Sequence, residues 1–248
     1  MQYNKSDKFW GERASHYDKL FWTKDEGYLD TILEMSNFQK RDLVLDVGVG
    51  SGAIAKRIKP HVKHVIGIDI SESMLKETNW DGISLVKWDI SDALFTNNLF
   101  DKVVARMVFH HITNDLDLAI RRCYDLLKKG GKIVVAEGIP PSDDAHVVNW
   151  YTDMFKLKEE RLTFTRRDLV NRLKKSDFRN IQVSEYIMRS FSIRNWLINS
   201  GLEQGRQDMI MDLHLSADEK IKSAYNMRCV DDDCLVDTKN VILVGEKR

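Results

Sequence analysis

From Leu43 onward the chain alternates short apolar runs with stretches of helical period. The runs are Leu43–Val47 (LVLDV), His64–Ile70 (HVIGIDI), Ile83–Ile90 (ISLVKWDI), Asp101–Phe109 (DKVVARMVF) and Lys132–Ala136 (KIVVA). They are apolar without strict alternation, as parallel strands covered on both faces must be. The intervals between them leave room for crossover helices. Leu116, Ala119, Ile120, Cys123 and Leu127 form one apolar stripe at helical spacing, stopped by Gly130-Gly131. Thr165 with Asp168 reads as a capping box, and Phe164 is placed to staple against Leu169. The pattern predicts an α/β fold with a doubly wound, mostly parallel sheet built by right-handed crossovers.

The later part follows another rhythm. Ile181–Met188 and Asn240–Glu246 read as strands, separated by a long stretch of helical pattern with a second capping signal at Ser216 and Glu219. A structureless loop of that length would be unusual, so residues 191–232 are read as a mostly helical lid inserted before a final strand at 240–248. Residues 1–40, with Trp10, Tyr17, Phe21 and Trp22, read as cap helices over the same opening. The expected organisation is a single domain over 1–248 with its core at 41–190.

Lys plus Arg equal Asp plus Glu at 38 each, so no global field draws in nucleic acid or an anionic membrane. No apolar run approaches the ~20 residues of a bilayer span. The first residues, MQYNKSD, carry no apolar stretch of the kind a signal peptide needs. Cys123, Cys229 and Cys234 are an odd set without framework or zinc spacing, which suits reduced thiols. These features make a soluble, cytoplasmic protein the expectation, with no metal site.

The chemistry begins at Leu45-Asp46-Val47-Gly48-Val49-Gly50-Ser51-Gly52-Ala53, where a strand gives way to a helix. Glycines there let the backbone approach a ligand. Gly48-x-Gly50-x-x-Ala53 loosely satisfies a dinucleotide fingerprint, with Asp69 near the expected distance for a ribose acid, so an NAD-binding oxidoreductase is one alternative. Three acids favour a different nucleoside. Asp46, two residues before the first glycine, would repel a pyrophosphate but suits an ammonium and a sulfonium. Asp69 closes the second strand, where its oxygens can take both ribose hydroxyls. Asp89 closes the third, where it can accept from an adenine amino group. Carboxylates at Asp69 and Asp89 also suit simple helix capping.

The ordered set LVLDVGVGSG, VIGIDIS, LVKWDISD, FDKVVARMVFHHI and LLKKGGKIVVAEG resembles the class I S-adenosylmethionine-dependent methyltransferases of the small-molecule, UbiE-like (type 11) branch. The resemblance covers residues 43–139, and Val241–Val244 resembles the antiparallel seventh strand of that Rossmann-like fold. It implies that Gly48 and Gly50 hold the methionine part of the donor, with Asp46 near its amino group. It further implies Asp69 on the ribose, Ile70 and Met74 against adenine, and Asp89 and Ile90 at the adenine edge. Arg106 and Tyr17, the latter from the Tyr17-Asp18 pair, are implied beside the methionine end. S-adenosylhomocysteine would be the product.

Methyl transfer from sulfonium needs alignment first and a base only when the acceptor is protonated. His110-His111, directly after the fourth strand, are the candidates for that base, His111 ahead of His110, with His214 behind both. His61 and His64 read as surface. Trp22, Trp150, Tyr151, Phe155, Trp196 and Tyr225 would make an apolar acceptor cavity, while Arg189, Arg194, Arg206 and Arg228 read as solvent-facing. A small-molecule acceptor is therefore expected, with no nucleic-acid partner. The alternatives are an RNA or protein methyltransferase, and a protein that binds the donor without turnover.

Overall fold

The computed structural model describes residues 9–11, 13–14, 16, 19–76, 82–92 and 95–248. Among the described residues eight strands form one sheet: β1 (Leu43–Val47), β2 (His64–Asp69), β3 (Ile83–Lys87), β4 (Phe100–Arg106), β5 (Leu127–Ile139), β6 (Arg179–Ser192), β7 (Arg228–Val230) and β8 (Asp233–Glu246). Seven lie in the order β3-β2-β1-β4-β5-β8-β6, and the short β7 pairs with β8 off that path. β1 to β5 are mutually parallel, whereas β8 runs antiparallel to both β5 and β6.

Side chains alternate between two cores that sandwich the sheet. Leu45, Val103, Ala105, Ile133, Val135 and Leu243 face one way. They meet Ala119, Ile120 and Cys123 of α4 (Leu116–Leu126) and Leu169 and Leu173 of α6 (Arg166–Lys175). Val44, Val65, Val104, Val134 and Ile242 face the other way, against α1 (Glu26–Ser36) and α2 (Ala53–Ile58). Both faces of the central strands β1 and β4 are thus apolar, which is why those runs show no polar alternation, whereas β6 at the edge is largely exposed. The short helix α3 (Glu72–Lys76) follows β2.

A third core joins α5 (Ala145–Lys158), α7 (Ile193–Ile198), α8 (Gln204–Leu215), α9 (Glu219–Ala224) and β8 through Tyr151, Met154, Trp196, Ile210, Ile221 and Cys234. The stretch read as a lid is mostly helical, but its ends differ from expectation. β6 runs on to Ser192, and β7 and β8 form a hairpin around Asp231-Asp232, so the final strand begins at Asp233 rather than at residue 240. Asp231 adopts φ 52, a conformation its short side chain tolerates, and this turn doubles the chain back. Ser216 is not the N-cap of α9: it is the C-cap of α8, its hydroxyl donating to Asp212 O, and Asp218 caps α9 by accepting from Ile221 N at 2.9 Å.

Three other strand ends depart from the sequence pattern. β3 stops at Lys87, leaving Asp89 and Ile90 in the loop beyond it. β4 stops at Arg106 because Met107 takes φ 54 and the chain turns into the short 3-10 helix Phe109–His111. β5 begins directly after α4, at Leu127, so the helix ends before Gly130. Among the described residues no helix is long and apolar enough to cross a membrane. The capping box at α6 is complete, with Thr165 accepting from Asp168 N and Asp168 from Thr165 N. Thr165→Ala is expected to cost about 1 kcal/mol of stability, read as a lower urea midpoint with an unchanged slope.

Candidate functional site

The C-terminal tips of β1 to β5 share one edge, and two cavities open along it. The larger, about 270 Å³, lies over the reversal of strand order between β1 and β4. Gly48 and Gly50 form its floor. Gly48 sits at φ +66, and a Cβ there would lie 2.5 Å from Val108 Cγ2, so the loop after β4 presses directly on it. Asp69 Oδ2 accepts from Gly50 N at 3.0 Å and Oδ1 from Ser71 N at 2.9 Å. Asp69 also lines the cavity, so the residue that pins the glycine loop faces the space above it. Helix α3 is capped by Ser71, whose Oγ accepts from Met74 N, and not by Asp69. Ile70, Met74, Asp89 and Ile90 complete this side of the wall, with Asp89 Oδ1 accepting from Ser91 N at 2.8 Å.

Asp46 is not on the wall. It is enclosed within β1 beside Gly67 and Val104, and its Oδ2 finds no hydrogen-bond donor among the described residues. Burial raises its carboxyl to about 8, against the opposing charge of Arg106. Arg106 lines the cavity from the tip of β4. Its Nη2 donates to Trp22 O and Thr23 O at 3.2 and 3.3 Å, and its guanidinium lies over the rings of Trp22 and Tyr28. Arg106 Nε also finds no partner among the described residues. Adjacent strand tips therefore carry a buried acid and a buried cation, each with an unspent polar atom. Tyr17 lies outside the described residues.

The second cavity, about 130 Å³, meets the first at Trp10, Met107 and His111, which line both. Its walls are aromatic: Trp22, Tyr151, Phe155, Trp196 and Tyr225 line it. Trp150 stands behind them, edge-on to His214 and Tyr225. His110 is buried and its Nδ1 lies 2.6 Å from Glu137 Oε2. Glu137 Oε1 accepts from Val108 N and Phe109 N at 3.1 and 2.7 Å. Burial lifts Glu137 to about 7 and holds His110 well below the imidazole range. His111 stacks on His110 at 4.0 Å and edge-on to Trp10 at 4.7 Å, and burial keeps it neutral too. His214 Nδ1 donates to Ile210 O at 2.7 Å, and burial lowers it to about 4.

Five charged residues on this cavity went unnoticed in the sequence: Arg13, Lys158, Glu159 and Arg161, and Lys239, which pairs with Glu185 at 2.9 Å. Lys158 to Arg161 belong to a charged run at the end of α5 that reads as solvated surface. Only the turn that lays Leu162 N on His110 O, at 2.8 Å, brings that run inside. His110, His111 and Glu159 place ligand-capable atoms within 4.8 Å of one another, but the cations around Glu159 oppose a metal ion there. Arg189, Arg194 and Arg206 pair with Asp237, Asp232 and Glu203, and Arg228 bonds Ser190. None of these four lines either cavity.

Residues 45–135 match the methyltransferase-domain family. An uncharacterized methyltransferase of Anoxybacillus flavithermus is 33% identical over 133 residues, which take in 50% of this chain and 63% of the relative. One from Bacillus mycoides is 36% identical over 145 residues, 54% of this chain and 68% of the relative. The YcgJ protein from Bacillus subtilis shares the fold, with a TM-score of 0.78 over 90% of this chain and 99% of that one at 17% identity. The chain belongs to the class I S-adenosylmethionine-dependent methyltransferases.

Asp46 supplies a test of the electrostatics beneath the loop. A carboxyl raised to about 8 is protonated in the fold and ionised when unfolded, so its stability contribution falls as pH rises from about 4 to 8. Asp46→Asn should flatten that decline, gaining melting temperature relative to the parent at pH 8 more than at pH 5. An unchanged difference between the two pH values would contradict the buried, protonated acid.

Proposed function

We propose that the chain binds S-adenosylmethionine in the larger cavity and directs methyl transfer to a small molecule enclosed in the second. The observation that carries this reading is the shared boundary: Trp10, Met107 and His111 belong to both walls, so the two sites meet at one neck. The residues present fit the donor. Arg106, on the wall with an unpartnered nitrogen, offers positive charge to the carboxylate of an amino acid end, and Asp46, behind the wall with an unpartnered oxygen, is assigned to the ammonium, whose charge would favour the ionised form of that carboxyl. Asp69, on the wall at the tip of β2, is assigned to the ribose hydroxyls, with Ile70 and Met74 as apolar contacts for the adenine and Asp89 and Ile90 along its edge. Gly48 and Gly50 let the backbone approach the methionine part, and Tyr17 is assigned to the same end. When bound, the donor supplies an electrophilic methyl on a positively charged sulfur.

The chain's own contribution is alignment and proton management. Aromatic walls exclude water from the neck, and holding the acceptor in line is worth on the order of 7–11 kcal/mol. His111, neutral and at the boundary, accepts the acceptor's proton at an imidazole nitrogen. His110, oriented by Glu137 and packed against His111, fixes that ring, and the Glu159 carboxylate tempers the charge it gains. A cavity of about 130 Å³ favours a small molecule over RNA or protein. The neutral charge balance and three free thiols support a cytoplasmic setting without a nucleic-acid partner.

Calorimetry with S-adenosylhomocysteine tests the donor site. Asp69→Ala is expected to weaken binding about tenfold to a hundredfold, as lost charge-assisted hydrogen bonds do; unchanged affinity, or tight NAD binding in its place, would refute the assignment. For an acceptor found by screening metabolites with methyl-labelled donor, His111→Ala should slow turnover by about 10²–10⁴ while leaving product affinity intact. Because burial holds His111 well below the imidazole range, the parent rate should be flat through neutrality and fall only in acid, below the pH at which a free imidazole titrates. A variant with the parent's rate and profile would leave catalysis to positioning alone.

A further inference from the structure

The second cavity encloses more positive than negative charge. Arg13, Lys158 and Arg161 converge on one carboxylate, Glu159. Arg13 Nη1 and Lys158 Nζ approach its Oε2 at 2.8 and 2.6 Å, while Arg161 Nη1 stands 3.9 Å from Oε1. The four side chains are 10% exposed or less. Burial alone would raise the Glu159 carboxyl, but Lys158, His111, Arg13 and Arg161 hold it well below the usual range, so it is ionised. Glu137, the other acid beside the cavity, is occupied by Val108 N, Phe109 N and His110. One firm negative charge thus faces three cations, and buried charge without a counterpart is costly.

A second observation concerns single atoms. Arg161 Nη2 and the Tyr225 hydroxyl are both buried, and neither has a hydrogen-bond partner among the described residues. Both residues line the cavity. The Arg161 guanidinium lies 4.0 Å over the Phe155 ring, so one face is covered and its edge is what remains for a ligand. Its field reaches His110, His111, Glu137, Tyr151 and Tyr225, which places it inside the chamber and not at its rim.

We propose that this cavity takes a small acceptor bearing a single carboxylate, which accepts hydrogen bonds from Arg161 Nη2 and the Tyr225 hydroxyl. Its apolar body lies against the aromatic wall that Phe155 and Trp196 form together, and its nucleophilic end turns toward His111; only this last orientation rests on the methyl-transfer reading. The cavity volume of about 130 Å³ is close to the roughly 150 Å³ that accommodates benzene. A planar, two-oxygen anion matches a guanidinium edge and a hydroxyl, whereas a phosphate would bring a second charge against Glu159.

Calorimetry on the full chain, with and without saturating S-adenosylhomocysteine, decides the matter using benzoate, benzamide and phenyl phosphate as probes. Benzoate should bind at least tenfold more tightly than benzamide and no more weakly than phenyl phosphate. Arg161→Gln should cut benzoate affinity tenfold or more and Tyr225→Phe about threefold, each with the parent's affinity for S-adenosylhomocysteine. Should Arg161→Gln fail to fold, Tyr225→Phe and the benzamide comparison still decide. Equal binding of benzoate and benzamide, no benzoate binding at millimolar concentration, a preference for phenyl phosphate, or undiminished benzoate binding by folded Arg161→Gln would each overturn the proposal. Failure of the parent to bind S-adenosylhomocysteine would count against the donor site alone, since the benzoate series is read without it as well.

Discussion

The carboxylate of Glu137 is wholly enclosed, and its oxygens are satisfied by two backbone N–H groups and one imidazole from the turn that follows β4. An acid buried this deeply must be hydrogen-bonded or protonated. Meeting that requirement fixes the chain from Met107 to His111. The same turn sets Val108 against Gly48, so the floor of the larger cavity depends on it. It also sets His111 and Met107 at the neck between the cavities. One buried acid on β5 thereby ties the glycine loop, the imidazole pair and the passage between the two sites into a single unit.

Around that unit the charges are arranged by depth. At the strand tips of β1 and β4, Asp46 and Arg106 lie close enough to moderate each other, yet each keeps an unspent polar atom. At the neck the imidazoles are neutral because burial disfavours their charged forms. In the second cavity the balance turns positive, with aromatic rings packed against the cations Arg13, Lys158 and Arg161. Such rings cover the apolar stems and faces of these side chains and leave their polar edges to meet a ligand. The sequence of environments along the passage, from acid to neutral to basic, suits a zwitterionic donor at one end and an anionic acceptor at the other.

The parallel strands were legible in the chain because they are apolar on both faces, a pattern that a half-exposed sheet does not produce. The capping box at Thr165 and Asp168 was legible because it is a local device. The start of β8 was not, since Asp233 to Lys239 are strand only by pairing with β6 and β7, and pairing of that kind leaves little local trace. Ser216 misled for the opposite reason: a residue able to cap a helix stands two positions before the one that does. Within the site, Asp69 and His111 stood out as chemistry at the end of a strand. Arg13 and Arg161 did not, because only the tertiary fold turns a charged run inward over the histidines.

The central claim is that a nucleoside lies at the tips of β1 to β3 with its sulfur at the neck beside His111. A crystal structure of the chain with S-adenosylhomocysteine tests it most directly. The account predicts the ribose hydroxyls on Asp69, the amino acid end between the tips of β1 and β4, and the sulfur facing Trp10, Met107 and His111. A nucleoside bound elsewhere, or one whose sulfur points away from the second cavity, would contradict it.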